Sequence, residues 1–371
     1  MHDFRLERVI GKGGFGKVNA AVKIRGEDRG AMYALKQLSL KEAMKNSKSE
    51  DMLFNERNLL ALLSVSHHQR IANLHYAFSD ACQCYVVLDL ALGGDLLYQS
   101  GQQKNLQFTE TSTIFYAAQM AEALTFLHDK CILHRDIKPE NMLLSPNGYI
   151  RLTDFGISVL VTKEQPTCRS RSGTKGYMAP EVYDGEHGKA ADFFALGVTL
   201  FYLCTGKHPF VKLPPIDWEP ASHLGKNVRD CLSLLMCKSP TERICDGKEF
   251  QQSAMFEKLN WDMLEQGEII PEFIPNLKQA NCNTGQFDAT DELFKEKEKP
   301  PSLTAEQSAC CCCLLFVGGW WVVMFFYIFF WCASYFLIFF SFFLFSFFFT
   351  EERLLTFVYN GHKKTEANDQ E

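Results

Sequence analysis

His134-Arg135-Asp136-Ile137-Lys138-Pro139-Glu140-Asn141 gathers an acid, a cation and an amide into one short polar loop. Apolar stretches flank it, residues 123–127 before and 142–144 after, and polar loops held between buried elements are where function concentrates. The residue types suit phosphoryl transfer. Asp136 can accept the proton of a hydroxyl nucleophile, Lys138 can steady the charge of a phosphoryl group in transit, and Asn141 can offer an amide oxygen to a metal ion. Two further sets would complete such a site. Gly11-Lys12-Gly13-Gly14-Phe15-Gly16-Lys17-Val18 has a backbone that can turn tightly and approach phosphate oxygens. Asp154-Phe155-Gly156 supplies a carboxylate, the ligand that hard magnesium ions prefer.

These residues need elements to hold them. Alternating apolar and polar residues predict a strand at 4–10, and two further strands are read at 18–24 and 32–36, the last carrying Lys36. A lone G-x-G-x-x-G is weak evidence, because dinucleotide-binding folds place the same spelling ahead of a helix. Here a strand follows instead, and Lys36 lies where it can reach phosphates. Helical spacing over 51–63 carries Glu56, in competition with Glu50 and Asp51. Residues 74–78 and 84–88 predict two more strands. Residues 109–128 predict a long amphipathic helix capped by Thr109 or Thr111, with Glu110 in its first turn. A short strand over 149–152 delivers Asp154. An apolar helix over 192–203 begins with Asp192, placed to brace the 134–141 loop from behind. His67-His68-Gln69-Arg70 reads as a surface turn, with its histidines exposed rather than metal-binding.

The chain of 371 residues is long enough for two lobes, and its net charge of −6 does not suggest a nucleic-acid partner. Its 14 cysteines include four in a row at 310–313 and show neither framework spacing nor paired zinc motifs, which implies a reduced, cytosol-facing protein. No secretory leader and no Met-Gly start precede the first strand.

In this order and spacing, the motifs resemble those of protein kinases, in the serine/threonine form marked by Lys138-Pro139. Asn73-Leu74-His75-Tyr76-Ala77-Phe78, Gly93-Gly94-Asp95 and Gly173-Thr174 with Tyr177-Met178-Ala179-Pro180-Glu181 are similar to the AGC class. Leu90-Ala91-Leu92-Gly93-Gly94-Asp95-Leu96 and the stretch from Leu259-Asn260-Trp261-Asp262 through Ile270-Pro271-Glu272-Phe273 to Asn281-Cys282-Asn283 resemble the YANK group, also called serine/threonine-protein kinase 32.

The resemblance implies an α+β, two-lobed kinase fold, with a small β-rich lobe over 4–92, a larger helical lobe over 93–256 and an AGC-like tail over 257–294. It implies ATP and Mg2+ as cofactors. Nucleotide contacts would come from Gly11, Lys12, Gly13, Gly14, Phe15, Gly16, Val18, Ala34, Lys36, Glu56, Leu88, Asp89, Ala91, Asp95, Glu140 and Leu143. Within that set Glu56 fixes Lys36, Leu88 borders the back of the adenine pocket and the backbone of 89–91 meets the adenine. Asp136 and Lys138 would be catalytic, with Asn141 and Asp154 as the metal ligands. The partner would be a protein with a Ser or Thr acceptor. Glu140 and Asp95 favour basic residues near it, and Asp95 alternatively serves only the ribose. Ser170 maps to the activating phosphosite, facing Arg135, with Ser172 in competition; Thr174 would hydrogen-bond the catalytic residues. Arg243 would be the buried partner of Glu181. Gln286-Phe287-Asp288 would approach the nucleotide. The segment 209–228 is shorter than its AGC counterpart and rich in proline. That departure motivates the rival reading, a catalytically idle, membrane-tethered scaffold.

A charged linker over 295–309 precedes residues 310–349, where no residue is charged, and a polar tail over 350–371 ends the chain. One membrane span needs about 20 residues, so this run suits one tilted helix or two hinged near Ser334. The cysteines at 310–313 are palmitoylation candidates, and either topology leaves the kinase domain in the cytoplasm. The alternative is translated non-coding sequence, because Phe, Leu, Ser and Cys share U-rich codons.

Overall fold

A computed structural model describes residues 1–13, 16–40, 47–80, 82–210, 216–277, 313–317 and 320–324. The chain opens with β1 (Phe4–Gly13), β2 (Gly16–Lys23) and β3 (Met32–Ser39), then α1 (Ser47–Ser64), β4 (Leu74–Ser79) and β5 (Gln83–Asp89). The five strands form one antiparallel sheet in the order β1-β2-β3-β5-β4. Strand periodicity sorts β3 cleanly between two faces. Tyr33 and Leu35 join Phe4, Ala21, Tyr85 and Val87 in an outer cluster. Ala34 and Leu38 join Leu53, Leu59, Leu60, Val86 and Leu88 in the main core beneath α1. Lys36 lies between Ala34 and Leu38, so it shares the inner face with the helix.

The larger lobe begins with α2 (Leu96–Gly101) and α3 (Glu110–Asp129), followed by β6 (Ile132–Leu133), β7 (Met142–Leu144), β8 (Ile150–Leu152) and β9 (Val159–Leu160). Thr109 caps α3 by accepting from the Ser112 amide at 3.1 Å. This helix is not amphipathic, contrary to the expectation from sequence. Residues from Ser112 through Leu124 are buried on almost every side. Small alanines at 117, 118, 121 and 123 let neighbouring elements close around it, so its sequence lacks a clean polar face. Pairing of β7 with β8 and of β6 with β9 fixes the two ends of the loops that carry Asp136 and Asp154.

Beyond them lie α4 (Pro180–Asp184), α5 (Ala190–Thr205), α6 (Lys226–Leu235), α7 (Gly247–Gln251) and α8 (Trp261–Glu265). Helix α5 is the apolar centre of this lobe. Gly197 lets α6 approach closely, because a Cβ there would meet Leu235 Cβ and Met236 Cγ at 2.8 Å. Between α5 and α6 the described residues form only a short 3-10 turn at Glu219–Ala221, and 211–215 lie outside the described residues.

The turn at 67–70 also departs from expectation. His67 is exposed, but His68 stacks on Phe126 at 4.5 Å, and burial together with Arg70 lowers its pKa to about 4. Arg70 is buried, pairs with Glu122 at 2.8 Å and donates to the Leu264 carbonyl at 2.7 Å. It anchors the start of the tail, a partner 194 positions away that no local pattern reveals.

The tail then runs along the large lobe. Tyr149 donates to the Ile269 carbonyl at 2.9 Å, Phe273 meets Phe108 edge-on at 5.3 Å, and Glu272 accepts from Ser112 at 3.1 Å and from Thr109. Pro275 reaches Gly93, where a Cβ would stand 2.8 Å from its ring. Residues 281–283 and 286–288 lie outside the described residues.

Within the uncharged run, β10 (Cys313–Val317) pairs antiparallel with β11 (Trp320–Met324). These pieces are strands where a helix was expected. Gly318-Gly319 stands between them in sequence, a hairpin-turn signal flanked by strand-favouring Val, Phe and Trp. The rest of 310–349 lies outside the described residues, among which no helix is long and apolar enough to cross a membrane.

Candidate active site

Two clusters carry the candidate residues. The first joins β3 to α1. Lys36 Nζ donates to both Glu56 oxygens, at 2.6 and 2.8 Å. Burial alone would lower the Lys36 pKa; the Glu56 carboxylate, aided by Asp154, outweighs it and the net shift is upward. Glu56, one of the helix acids weighed from sequence, is in contact with Lys36. Asn55, which sequence reasoning did not single out, donates to the Ser158 carbonyl at 2.7 Å. It ties α1 to the segment following Asp154, and with 103 positions between them nothing local in the sequence marks the pair.

The second cluster surrounds Asp136. Its Oδ2 lies 2.8 Å from Lys138 Nζ and 3.0 Å from Asn141 Nδ2, while its Oδ1 accepts from Thr174 Oγ1 at 2.6 Å. Lys138 also donates to Thr174 at 2.8 Å. Burial would raise the Asp136 pKa, but the hydrogen bonds from Lys138 and Thr174 more than offset it and the carboxyl is held below its ordinary value. The carboxylate is therefore ionised at neutral pH.

The loop is held from beneath. Asp192, buried, accepts from the amides of His134 at 3.0 Å and Arg135 at 2.7 Å, and pairs with His128 at 2.9 Å. Arg135 and Asp154 both adopt left-handed backbone, φ 69° and 67°, a conformation costly for side chains other than glycine and common at functional sites. His134 is buried; its Nδ1 accepts from the Asp136 amide at 3.3 Å and its Nε2 donates to the Thr153 carbonyl at 3.2 Å, so the neutral tautomer carries its proton on Nε2. Burial, which outweighs the nearby Asp192 and Asp136 carboxylates, lowers its pKa and keeps it neutral.

The sheet register positions the remaining candidates. Val18 lies opposite Lys36, and Ala34 lies opposite Leu88. In the glycine-rich strands Gly11 pairs with Val18, Lys12 with Lys17 and Gly13 with Gly16; Gly14 and Phe15 lie outside the described residues. Gly16 must be glycine, since a Cβ would lie 1.8 Å from the Gln37 carbonyl oxygen. Ala91 lies two positions after the end of β5, and Leu143 on β7 bridges to Asp95. The Asp89 side chain is engaged in a polar network of its own. It accepts from Asn73, His75 and Arg151, and these bonds overcome burial to bring its pKa down to about 2.

Each cluster sets a lysine beside a carboxylate, and the Asp154 charge acts on Lys36. A description of the protein kinase domain matches residues 4–253. The chain belongs to the protein kinase family. A RAC family serine/threonine-protein kinase homolog of Dictyostelium discoideum is 35% identical over 316 residues, covering 81% of this chain and 67% of that protein. Serine/threonine-protein kinase 32B of Homo sapiens is 33% identical over 298 residues, covering 76% and 70%. A putative ribosomal protein S6 kinase alpha-1 of Caenorhabditis elegans is 36% identical over 299 residues, covering 77% of this chain but 37% of its own length. The relatives place the chain among AGC-type serine/threonine kinases, near the kinase 32 group.

Further kinase positions surround the site. Asp95 caps α2 by accepting from the Tyr98 amide at 2.7 Å, and burial raises its pKa. Glu140 is also raised, by burial first and then by Asp95 and Asp136, and among the described residues its buried Oε2 has no hydrogen-bond partner. Ser170 contacts Arg135 through its hydroxyl, and Arg169 pairs with Glu186 on the surface at 3.0 Å. Arg243 holds Glu181 at 2.5 and 3.1 Å.

Proposed function

We propose that this kinase transfers the γ-phosphate of ATP to serine or threonine hydroxyls of protein substrates. The observation that carries the reading is the coexistence of the Lys36–Glu56 pair with the Asp136–Lys138–Asn141–Thr174 cluster. Two Lys36 hydrogens go to Glu56, which leaves a third for phosphate oxygen. Asp136 Oδ1 holds Thr174 and retains a second lone pair, the acceptor for a substrate hydroxyl proton. Lys138 offsets charge on the transferring group.

The donor set fits magnesium. The Asn141 amide nitrogen is committed to Asp136, so its carbonyl oxygen is the group that turns to a cation, and Asp154 is an exposed carboxylate. When bound, magnesium neutralises phosphate charge.

Basic substrates fit best. Glu140 combines a raised pKa with an unpartnered buried oxygen, and an Arg or Lys of the substrate would stabilise its charged form. The domain limits 4–92, 93–256 and 257–294 follow from this reading. The uncharged run 310–349 supports membrane attachment of an otherwise cytoplasm-facing kinase; flotation of the full chain with lipid vesicles tests it, and a chain left in the dense fraction rejects it. The catalytic reading is tested with the full chain, Mg-ATP and Ser peptides with and without upstream Arg. Glu140→Gln is expected to raise KM for the Arg peptide about tenfold with kcat little changed. Equal KM for both peptides in the unaltered chain would refute the basic preference.

A further inference from the structure

The activation segment carries a thiol that the phosphoryl-transfer chemistry does not use. Cys168 lies two positions before Ser170, and its Sγ meets His187 Nε2 at 3.2 Å and Arg135 Nη1 at 3.7 Å. The three groups come together because Cys168 and His187 form a two-way backbone bridge, with N–O distances of 2.9 and 3.1 Å. His187 is 3% exposed, so its ring cannot turn freely to water. Among the described residues its Nδ1 is buried with no hydrogen-bond partner, and its Nε2 addresses the sulfur. Cys168 itself is only partly buried and open to a small reagent.

A thiol with an imidazole at hydrogen-bond distance and a guanidinium beside it is the arrangement that activates sulfur nucleophiles. Several other described cysteines sit in different surroundings. Cys82 is exposed, Cys204 and Cys231 are buried, and Cys237 faces a carboxylate, Glu242 Oε2, at 3.5 Å.

We propose that Cys168 is a site of oxidation by hydroperoxides, with His187 as its proton acceptor. His187 Nε2 takes the thiol proton. The sulfur then attacks one peroxide oxygen, so that an S–O bond forms and the O–O bond breaks. The departing hydroxide leaves as water with the proton from His187. The thiol is oxidised to sulfenic acid and hydrogen peroxide is reduced to water, with no further reactant needed. The guanidinium of Arg135 lies beside the charge that develops on sulfur. It is also the group that contacts Ser170, so oxidised sulfur competes with Ser170 for the same cation.

The test does not depend on kinase activity. The full chain is exposed to hydrogen peroxide in the presence of dimedone, and label at each cysteine is followed by mass spectrometry. Cys168 is expected to be labelled at least about tenfold faster than Cys82 and Cys237. His187→Gln is expected to bring its rate down to theirs. The comparison with Cys82 and Cys237 within the unaltered chain stands even where that variant fails to fold. Labelling of Cys168 no faster than Cys82 overturns the proposal, and an unchanged rate in folded His187→Gln overturns the role of His187.

Discussion

Asp192→Ala removes one buried carboxylate and strands three donors at once. The His134 and Arg135 amides and His128 Nε2 lose acceptors at 3.0, 2.7 and 2.9 Å. Asp192 is 1% exposed, so water cannot easily take its place. Each stranded buried donor costs about 1–3 kcal/mol, and the two amides alone amount to about 2–6 kcal/mol, set against a typical total stability of about 5–15 kcal/mol. Urea unfolding should therefore show a loss of several kcal/mol. Asp192→Asn keeps one acceptor oxygen and should lose roughly half as much. Turnover should fall in both variants, because the Arg135 amide bond holds a left-handed residue directly before Asp136. A stability within about 0.5 kcal/mol of the parent, with unchanged kcat, would refute this account of how the loop is held.

Other consequences can be checked separately. The Asp89 carboxyl has its pKa brought from 3.8 to about 2: burial pushes it up, but the His75 hydrogen bond and Arg151 prevail. Its folded value is the lower one, so its stabilisation is complete above about pH 4 and is lost as pH falls toward 2, a contribution of about 2 kcal/mol. Asp89→Asn should flatten that acid limb in unfolding measured from pH 5 to 2; an unaltered limb contradicts the assignment. Phe273→Ala removes the edge-on contact with Phe108 and should cost about 1–3 kcal/mol while raising protease cleavage within the tail; unchanged cleavage would show that the contact does not hold the tail. Gly16→Ala should weaken nucleotide binding, because its Cβ would lie 1.8 Å from the Gln37 carbonyl oxygen; unchanged ATP affinity by calorimetry would contradict that.

The sequence was most legible where residue type and spacing carry the chemistry. Asp136, Lys138 and Asn141 lie on one loop, and period-two alternation in β3 turns Lys36 toward α1 and Glu56. It was least legible where partners are distant or burial is complete. Helix α3 lacks a polar face because the large lobe surrounds it. Arg70 reads as a surface residue because its partners, Glu122 and the Leu264 carbonyl, are remote in sequence. Asp89 was read through its backbone, while its side chain turns away to a polar network joining β4, β5 and β8. Cys168 and His187 lie 19 positions apart, and only the folded activation segment brings them together.

The central claim is that Asp136 accepts the proton of the substrate hydroxyl. The most direct measurement is γ-phosphate transfer from Mg-ATP to an Arg-containing Ser peptide by the full chain, beside Asp136→Asn, with ATP affinity measured for both. The account predicts that the substitution lowers kcat by at least about 100-fold and leaves ATP affinity within a few-fold. Transfer at the parent rate by Asp136→Asn would contradict it.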